Sequence, residues 1–450
     1  MPDQVLKAPP KLQIEYVSIR SLKLDSDNSR EHGSRQIRQI ARSVEAFEFN
    51  APILVDRDGK VVAGNGRLMA LQQLGRTEVP IVRLEHLSPE QARAYAIADN
   101  RLTDVSRFND KQLALNLKLL SDMALDFDLE ATGFSMGEID LRIESLTFDE
   151  PDAAIRDDDE APIEAGVAVT HVGDLWRLGD HRLYCGSALE ASSFARLLLA
   201  RERIDAVFMD APYNVPIDGH VSGKGKRRHR EFVQGAGEME EGAFIKFLQA
   251  SLEAAVVHLR PGAVVFSCMD WRHVGELMTA AQAAGLTMIN LCVWTKPIGG
   301  MGSLYRSAHE LVLVFRHGKT THRNNVELGR HGRNRTNVWA YPGANQFLRS
   351  SEDADLIGQH PTPKPVKMVA DALLDVTARG DLVLDPFMGG GSTLMAAERI
   401  GRRARGIELD PLYVDLTIRR WMRMTGEDAV HEATGERFSV LEAKTEEAAR

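Results

Sequence analysis

The chain has 450 residues, 44% of them hydrophobic and 26% charged, which is too long for one ordinary domain and apolar enough to bury two or three cores. Its net charge of −9 excludes a general basic coat for nucleic acid, and no run nears the ~20 apolar residues of a membrane span. Cys185, Cys268 and Cys292 lie far apart with no CxxC, and MPDQVLKAPPK lacks the apolar core of a signal peptide. The expectation is a reducing cytoplasm, with no disulfide framework, no bound metal and no membrane anchor.

In chain order, APILVDRDGKVVAGNGRLMALQQLGRTEVPIVRL (51–84) predicts strand, Asp58-Gly59 turn, strand, Gly-rich loop, helix and strand. Leu68, Leu71 and Leu74 line one face of that helix and Gly75 stops it. SPEQARAYAIADNRL (88–102) predicts another helix, capped by Ser88 with Pro89 at its first position. VVAGNGRLMALQQLG resembles the ParB-like (sulfiredoxin-type) nuclease fold over roughly residues 12–105. The resemblance implies that Gly64, Gly66 and Arg67 handle phosphate. Partition proteins usually carry an acid and a second arginine there, and sulfiredoxins a cysteine. This segment has neither, so thiol repair is excluded and a DNA-positioning accessory stands beside a purely structural turn. The small α+β ParB-like domain is expected over 1–110, with a helical extension over 111–147.

An acidic linker is expected over 148–168, since DEPDAAIRDDDE (149–160) carries seven acids and one base. Beyond it, apolar strands alternate with helical stretches: strands near 205–210, 263–268, 288–294, 310–315, 381–385 and 404–409, helices near 241–259, 271–284, 364–378, 392–400 and 411–424. This alternation predicts an α/β, doubly wound, Rossmann-like sheet whose ligands sit off the carboxyl ends of its strands. The expected domain runs over 169–435, and a polar helical tail over 436–450.

Two stretches carry chemistry. In DLVLDPFMGGGSTLMAAERIG (381–401) a buried strand ends at Asp385, followed by three glycines and a helix opening at Ser392. Glycines admit a ligand close to the backbone, and a helix start offers free N–H donors. Glu408 closes the next strand about twenty residues on, where an acid can accept both hydroxyls of a ribose. The spelling is neither a P-loop nor a full G-x-G-x-x-G, so a nucleoside-containing ligand other than ATP or a dinucleotide is expected. In VFMDAPYN (207–214) another apolar run ends at Asp210.

With these motifs in this order, the second unit resembles an S-adenosylmethionine-dependent DNA amino-methyltransferase of the permuted beta group, over about 169–425. HPTPKP (360–365), GIELDPLYVDLTIRRW (406–421) and GDLWRLGDHRLYCGSA (173–188) also match. The resemblance implies S-adenosyl-L-methionine as cofactor, held by Asp385, Phe387, Gly389, Gly391, Ser392, Glu408, Thr362 and Lys364. It implies catalysis by Asp210, Ala211, Pro212 and Tyr213 on a base flipped out of double-stranded DNA. The Asp210 carboxylate and Ala211 carbonyl would accept the amino N–H groups, with Tyr213 stacked on the base. Taken singly, Lys364 reads as a helix start and Tyr213 as packing; their joint occurrence carries the assignment. The family prefers proline at Ala211 and often an acid at Ser187. Aspartate at position 210 favours N6 of adenine over N4 of cytosine. Target recognition is expected within about 217–240 and 297–357, through Lys224, Lys226, Arg227, Arg228, Arg333 and Arg335. A homodimer and a cognate restriction endonuclease stay open as partners. The rival from another class is a non-enzymatic ParB-like regulator with a decayed methylase half.

Overall fold

The computed structural model describes residues 12–25, 28–105, 108–123, 125–146, 167–214, 239–296, 305–326, 335–341 and 364–449. The chain forms two compact units, Met1–Glu150 and Pro151–Arg450.

In the first unit, β1 (Ile14–Ser18), β2 (Ile53–Val55), β3 (Val61–Ala63) and β4 (Glu78–Arg83) form a sheet in the order β1-β4-β2-β3. The 51–84 stretch follows its expected course, with α2 (Asn65–Gln73) between β3 and β4. Ile53, Val55, Leu68, Leu71, Val79 and Ile81 are buried in one cluster, with Leu74 packed at its edge. α3 (Pro89–Val105) starts at a reciprocal cap. The Gln91 amide donates to the Ser88 hydroxyl at 3.2 Å, and the Ser88 amide to the Gln91 side chain at 2.9 Å. α1 (Ser34–Phe47), α4 (Asp110–Ser121) and α5 (Met136–Ser145) complete the helices.

The second unit holds a ten-stranded sheet. Its strands are β5 (Leu175–Leu178), β6 (His181–Cys185), β7 (Ile204–Met209), β8 (Leu259–Met269), β9 (Leu286–Thr295), β10 (His309–His317), β11 (Val338–Ala340), β12 (Leu382–Asp385), β13 (Arg403–Glu408) and β14 (Val430–His431). Their order is β11-β9-β10-β8-β7-β12-β13-β6-β5-β14. The central strands β8, β7, β12, β13 and β6 pair in parallel, whereas β10 runs antiparallel to both β8 and β9.

Every residue of β7 is buried, and its pleat sorts them between two cores. Ala206 and Phe208 join the cluster of α9 (Val366–Val376), α10 (Ser392–Arg399) and α11 (Pro411–Thr425). Val207 and Met209 join that of α6 (Ala191–Leu197), α7 (Glu241–Val256) and α8 (Val274–Ala283). A strand covered on both faces has no polar side to show, hence the apolar run over 206–209; Asp205, near its start, is paired with Arg260.

The 173–188 stretch forms the hairpin β5–β6. The polar helical tail contains α12 (Phe438–Ala449), where Phe438 is buried edge-on against Trp176, with ring centroids 5.3 Å apart.

α10 starts at Gly391, whose φ is +86°. A Cβ there would lie 2.7 Å from the Thr417 side chain, whose hydroxyl supports the loop by donating to the Gly389 carbonyl at 3.0 Å. Gly426, at φ +76°, has nothing within 4 Å of such a Cβ. Gly426→Ala therefore costs only the left-handed conformation, about 1–2 kcal/mol, whereas Gly391→Ala must also displace Thr417. Thermal melting is expected to place Gly391→Ala lowest, about 5 °C or more below the native chain. Equal melting of the two variants would contradict this packing.

Candidate active site

The chirality of the sheet places the chemistry. The β7–α7–β8 and β12–α10–β13 segments leave in opposite directions from the adjacent pair β7 and β12, so the crevice lies off their carboxyl ends. Asp210 follows β7, Asp385 ends β12 and Glu408 ends β13. Antiparallel β10 brings its amino end to the same edge, since Leu311 pairs with Met269 at the end of β8 and His309 with Thr295 at the end of β9. Glu310 and Lys296 therefore join this edge, although nothing in the local sequence singles them out.

Asp385 is buried. Its carboxylate accepts from the Thr393 hydroxyl at 2.6 Å and the Phe387 amide at 3.0 Å. Burial, reinforced by the nearby acids Asp210 and Glu408, pushes its carboxyl up to about 7 despite those bonds. Glu408 is also lifted to about 7 by burial, against the pull of backbone donors. Its two oxygens accept from the Gly389 and Asp410 amides, each at 2.8 Å, leaving lone pairs on both. Gly389 and Gly391 both have positive φ, and Ser392 and Thr393 open α10 as buried residues. Phe387 also packs on Phe247, with centroids 5.9 Å apart. Thr362 lies outside the described residues.

Asp210 meets partners from far along the chain. Its Oδ1 accepts from the Tyr213 hydroxyl at 2.9 Å and its Oδ2 from Lys364 Nζ at 2.7 Å. Lys364 also lies 3.2 Å from Glu310 Oε2. Two of its three N–H donors are thus committed to carboxylates. One donor remains for a ligand. The Tyr213 hydroxyl lies among the acids, 3.2 Å from Glu310 Oε2, while Lys364 Nζ stands 5.3 Å from its ring centroid. Ala211 is buried in the core and Pro212 half-buried.

Asn214, at φ +55°, went unremarked in the sequence. Its side-chain amide donates to the Met239 carbonyl at 2.7 Å and accepts from the Met239 amide at 3.1 Å. These bonds tie together the two points between which residues 215–238 run. Left-handed asparagine is several-fold commoner than other non-glycine residues there, which is the signal that could have found it.

Of the residues expected at DNA, Lys224, Lys226, Arg227, Arg228 and Arg333 lie outside the described residues. Arg335 is compensated within the fold, with Nε 2.8 Å from Asp375 and Nη1 3.5 Å from Asp371; those pairs outweigh burial and hold its pKa up. The Arg335 guanidinium is thus paired with two acids of α9. In the first unit, Gly64 caps α2 at φ +104°. Gly66 sits close to His32, which a Cβ would approach to 3.0 Å. Arg67 Nη1 donates to the Ala51 carbonyl at 2.8 Å and lies 3.3 Å from that of Pro52. Arg67 thus braces the chain ahead of β2.

A Rossmann-like sheet with acids at three adjacent strand ends defines a class, the enzymes that bind a nucleoside at the switch point. Comparison with known proteins narrows it. The DNA methylase family matches residues 204–419, and the ParB-methyltransferase HTH domain family matches 111–172. The ParB-like nuclease domain-containing protein YnaK of Escherichia coli (strain K12) is 36% identical over 81 residues, covering 18% of this chain and 93% of YnaK. Type II methyltransferase M2.MboI of Moraxella bovis is 23% identical over 235 residues, 49% of this chain and 82% of its own. The crystal structure of the M1.HpyAVI–SAM complex aligns with a TM-score of 0.37 and 18% identity, covering 53% of this chain and 98% of that one. Residues 204–419 therefore form a domain of the N6/N4 DNA methylase family, and a ParB-like unit precedes it in the chain. No helix among the described residues is long and apolar enough to cross a membrane.

Proposed function

We propose that the chain methylates double-stranded DNA, moving a methyl group from S-adenosyl-L-methionine to the exocyclic amino group of a flipped base, with N6 of adenine the favoured atom. The observation that carries this reading is the Asp210 carboxylate, fixed through both oxygens by Tyr213 and Lys364 beside the Asp385–Glu408 edge.

The residues present fit the cofactor. Asp385 and Glu408, both lifted to about 7, form an acidic edge that favours a cation nearby, and Glu408 keeps lone pairs for hydroxyl donors. S-adenosylmethionine, when bound, supplies a methyl group on a positively charged sulfur. Asp210 then accepts one N–H of the target and the Ala211 carbonyl the other. An aromatic amine has its lone pair delocalised into the ring, and acceptors on both N–H groups draw that density back onto nitrogen. The substitution of alanine for proline at position 211 leaves this carbonyl in place, and Pro212 keeps Ala211 extended.

DNA contacts are assigned to the basic run 222–230 and the segment 297–357. The ParB-like unit over 1–110 and its helical extension over 111–147 would position the duplex. A cytoplasmic location, a homodimer and a cognate restriction endonuclease belong to the same proposal. Modification-sensitive sequencing of unmethylated DNA after treatment with the purified chain tests the atom and the site together. N6-methyladenine at a fixed sequence is expected; N4-methylcytosine would transfer the reading to the other base, and unmodified DNA would favour the non-enzymatic regulator.

A further inference from the structure

Glu310 is a buried-edge carboxylate on β10 that the sequence leaves unassigned. Lys296 donates to its Oε1, while Lys364 Nζ and the Tyr213 hydroxyl each lie 3.2 Å from its Oε2. The same two groups are the partners of Asp210, at 2.7 and 2.9 Å. Asp210, Lys364, Glu310 and Tyr213 thus close a ring of contacts, with Lys296 balancing its second anion. Trp294 lies beneath, with Lys296 Nζ 4.6 Å and Lys364 Nζ 6.0 Å from its ring centroid. Among the described residues, the Cys268 thiol on β8 and Asp385 on β12 are further titratable neighbours.

We propose that Glu310 is a positioning residue for methyl transfer: it shares Lys364 and Tyr213 with Asp210, so that neither donor is given wholly to the acid that must receive the target amino group. The inference rests on the functional reading above. An ionised carboxylate has about four lone-pair sites. With Lys364 and Tyr213 divided between two acids, each Asp210 oxygen keeps one site free. Without Glu310, a buried ammonium would have Asp210 as its one carboxylate and would close over it.

Glu310 is suited to this task rather than to proton transfer. Burial alone would lift its carboxyl, but Lys364 and Lys296 outweigh that and hold it at about 2. It stays an anion at any working pH. Burial would lower the Lys364 ammonium, yet Asp210 and Glu310 together keep it well above its ordinary value. Removing Glu310 removes one of those anions, so Lys364 loses its proton at lower pH.

The test is the single-turnover rate of tritiated methyl transfer from S-adenosylmethionine into unmethylated plasmid DNA, from pH 6 to 10. It compares the native chain, Glu310→Gln and Glu310→Asp, with cofactor affinity measured in parallel by calorimetry. Glu310→Gln is expected to slow transfer by about 10- to 100-fold with cofactor affinity within about threefold. Glu310→Asp, which keeps a carboxylate on β10, should restore much of the rate. A Glu310→Gln variant with native rate and native pH profile overturns the inference alone. So does equal loss in both variants, because it marks a merely structural role. A native chain that transfers no methyl group overturns the functional reading and this inference with it.

Discussion

Replacing Asp210 with alanine is expected to cut methyl transfer by about a thousandfold, the scale for losing a positioned acid–base group, while cofactor affinity changes little. The carboxylate stands at the end of β7 with both oxygens engaged by donors of this chain, Tyr213 and Lys364. Its free lone pairs serve the target, while the cofactor's expected contacts lie on Asp385, Glu408 and the glycine loop. The variant should still fold, because Lys364 keeps a buried counter-ion in Glu310 at 3.2 Å. Asp210→Asn retains one acceptor oxygen but loses the charge, and should fall between the native chain and Asp210→Ala. Single-turnover transfer measured beside calorimetric binding separates the two effects. Native turnover in Asp210→Ala would remove Asp210 from the mechanism. A parallel collapse of cofactor binding would place it in the wrong site.

The second large effect concerns Glu408 and pH. In the ligand-free protein, burial holds the Asp385 and Glu408 carboxyls at about 7, against about 4 in an unfolded chain. An acid raised in this way contributes most to stability below about pH 4, and that contribution is lost as pH rises from 4 through 7. The ligand-free protein should therefore melt at a higher temperature at pH 6 than at pH 8. A positively charged, hydroxyl-bearing cofactor reverses the preference, because it favours both carboxylates ionised. Binding should release protons and tighten from pH 6 to pH 8, by about tenfold per unit for each fully coupled group below its pKa. Glu408→Ala removes two charge-assisted acceptors, at about 1.5–3 kcal/mol each, so affinity should drop by about 100-fold or more. Glu408→Gln should flatten the pH dependence. Calorimetry in buffers of differing ionisation heat reads both affinity and proton release. Unchanged affinity in Glu408→Ala would contradict this placement of the ribose.

The parts of the site legible in the sequence are those with a local signature. Asp210 and Asp385 each end an apolar run with proline within two residues, and Glu408 follows Asp385 at the spacing of a ribose-binding acid, so these positions could be read from a few neighbouring residues. Glu310 and Lys296 have no such signature. Glu310 is the second residue of an ordinary strand, and it reaches the site only because β10 runs against its neighbours. The pairing of Lys364 has no local signature either, because its partner Asp210 lies 154 residues away in the chain. The β5–β6 hairpin did carry a signal, the Gly179-Asp180 pair between LWRL and HRLYC with Gly179 at φ +54°. Its interleaved charges, Arg177, His181 and Arg182, hid the two strands. Phe438 was hidden differently: one aromatic residue at the start of a polar helix gives no periodicity, yet it fixes α12 against Trp176.

The most direct test of the account is nucleoside mass spectrometry on unmethylated DNA incubated with deuterated-methyl S-adenosylmethionine and either the native chain or Asp210→Ala. The account predicts a labelled methyl group on the exocyclic amino nitrogen of one base in the native reaction, and none above background with the variant. Labelled base formed equally by both proteins, or by neither, would contradict it.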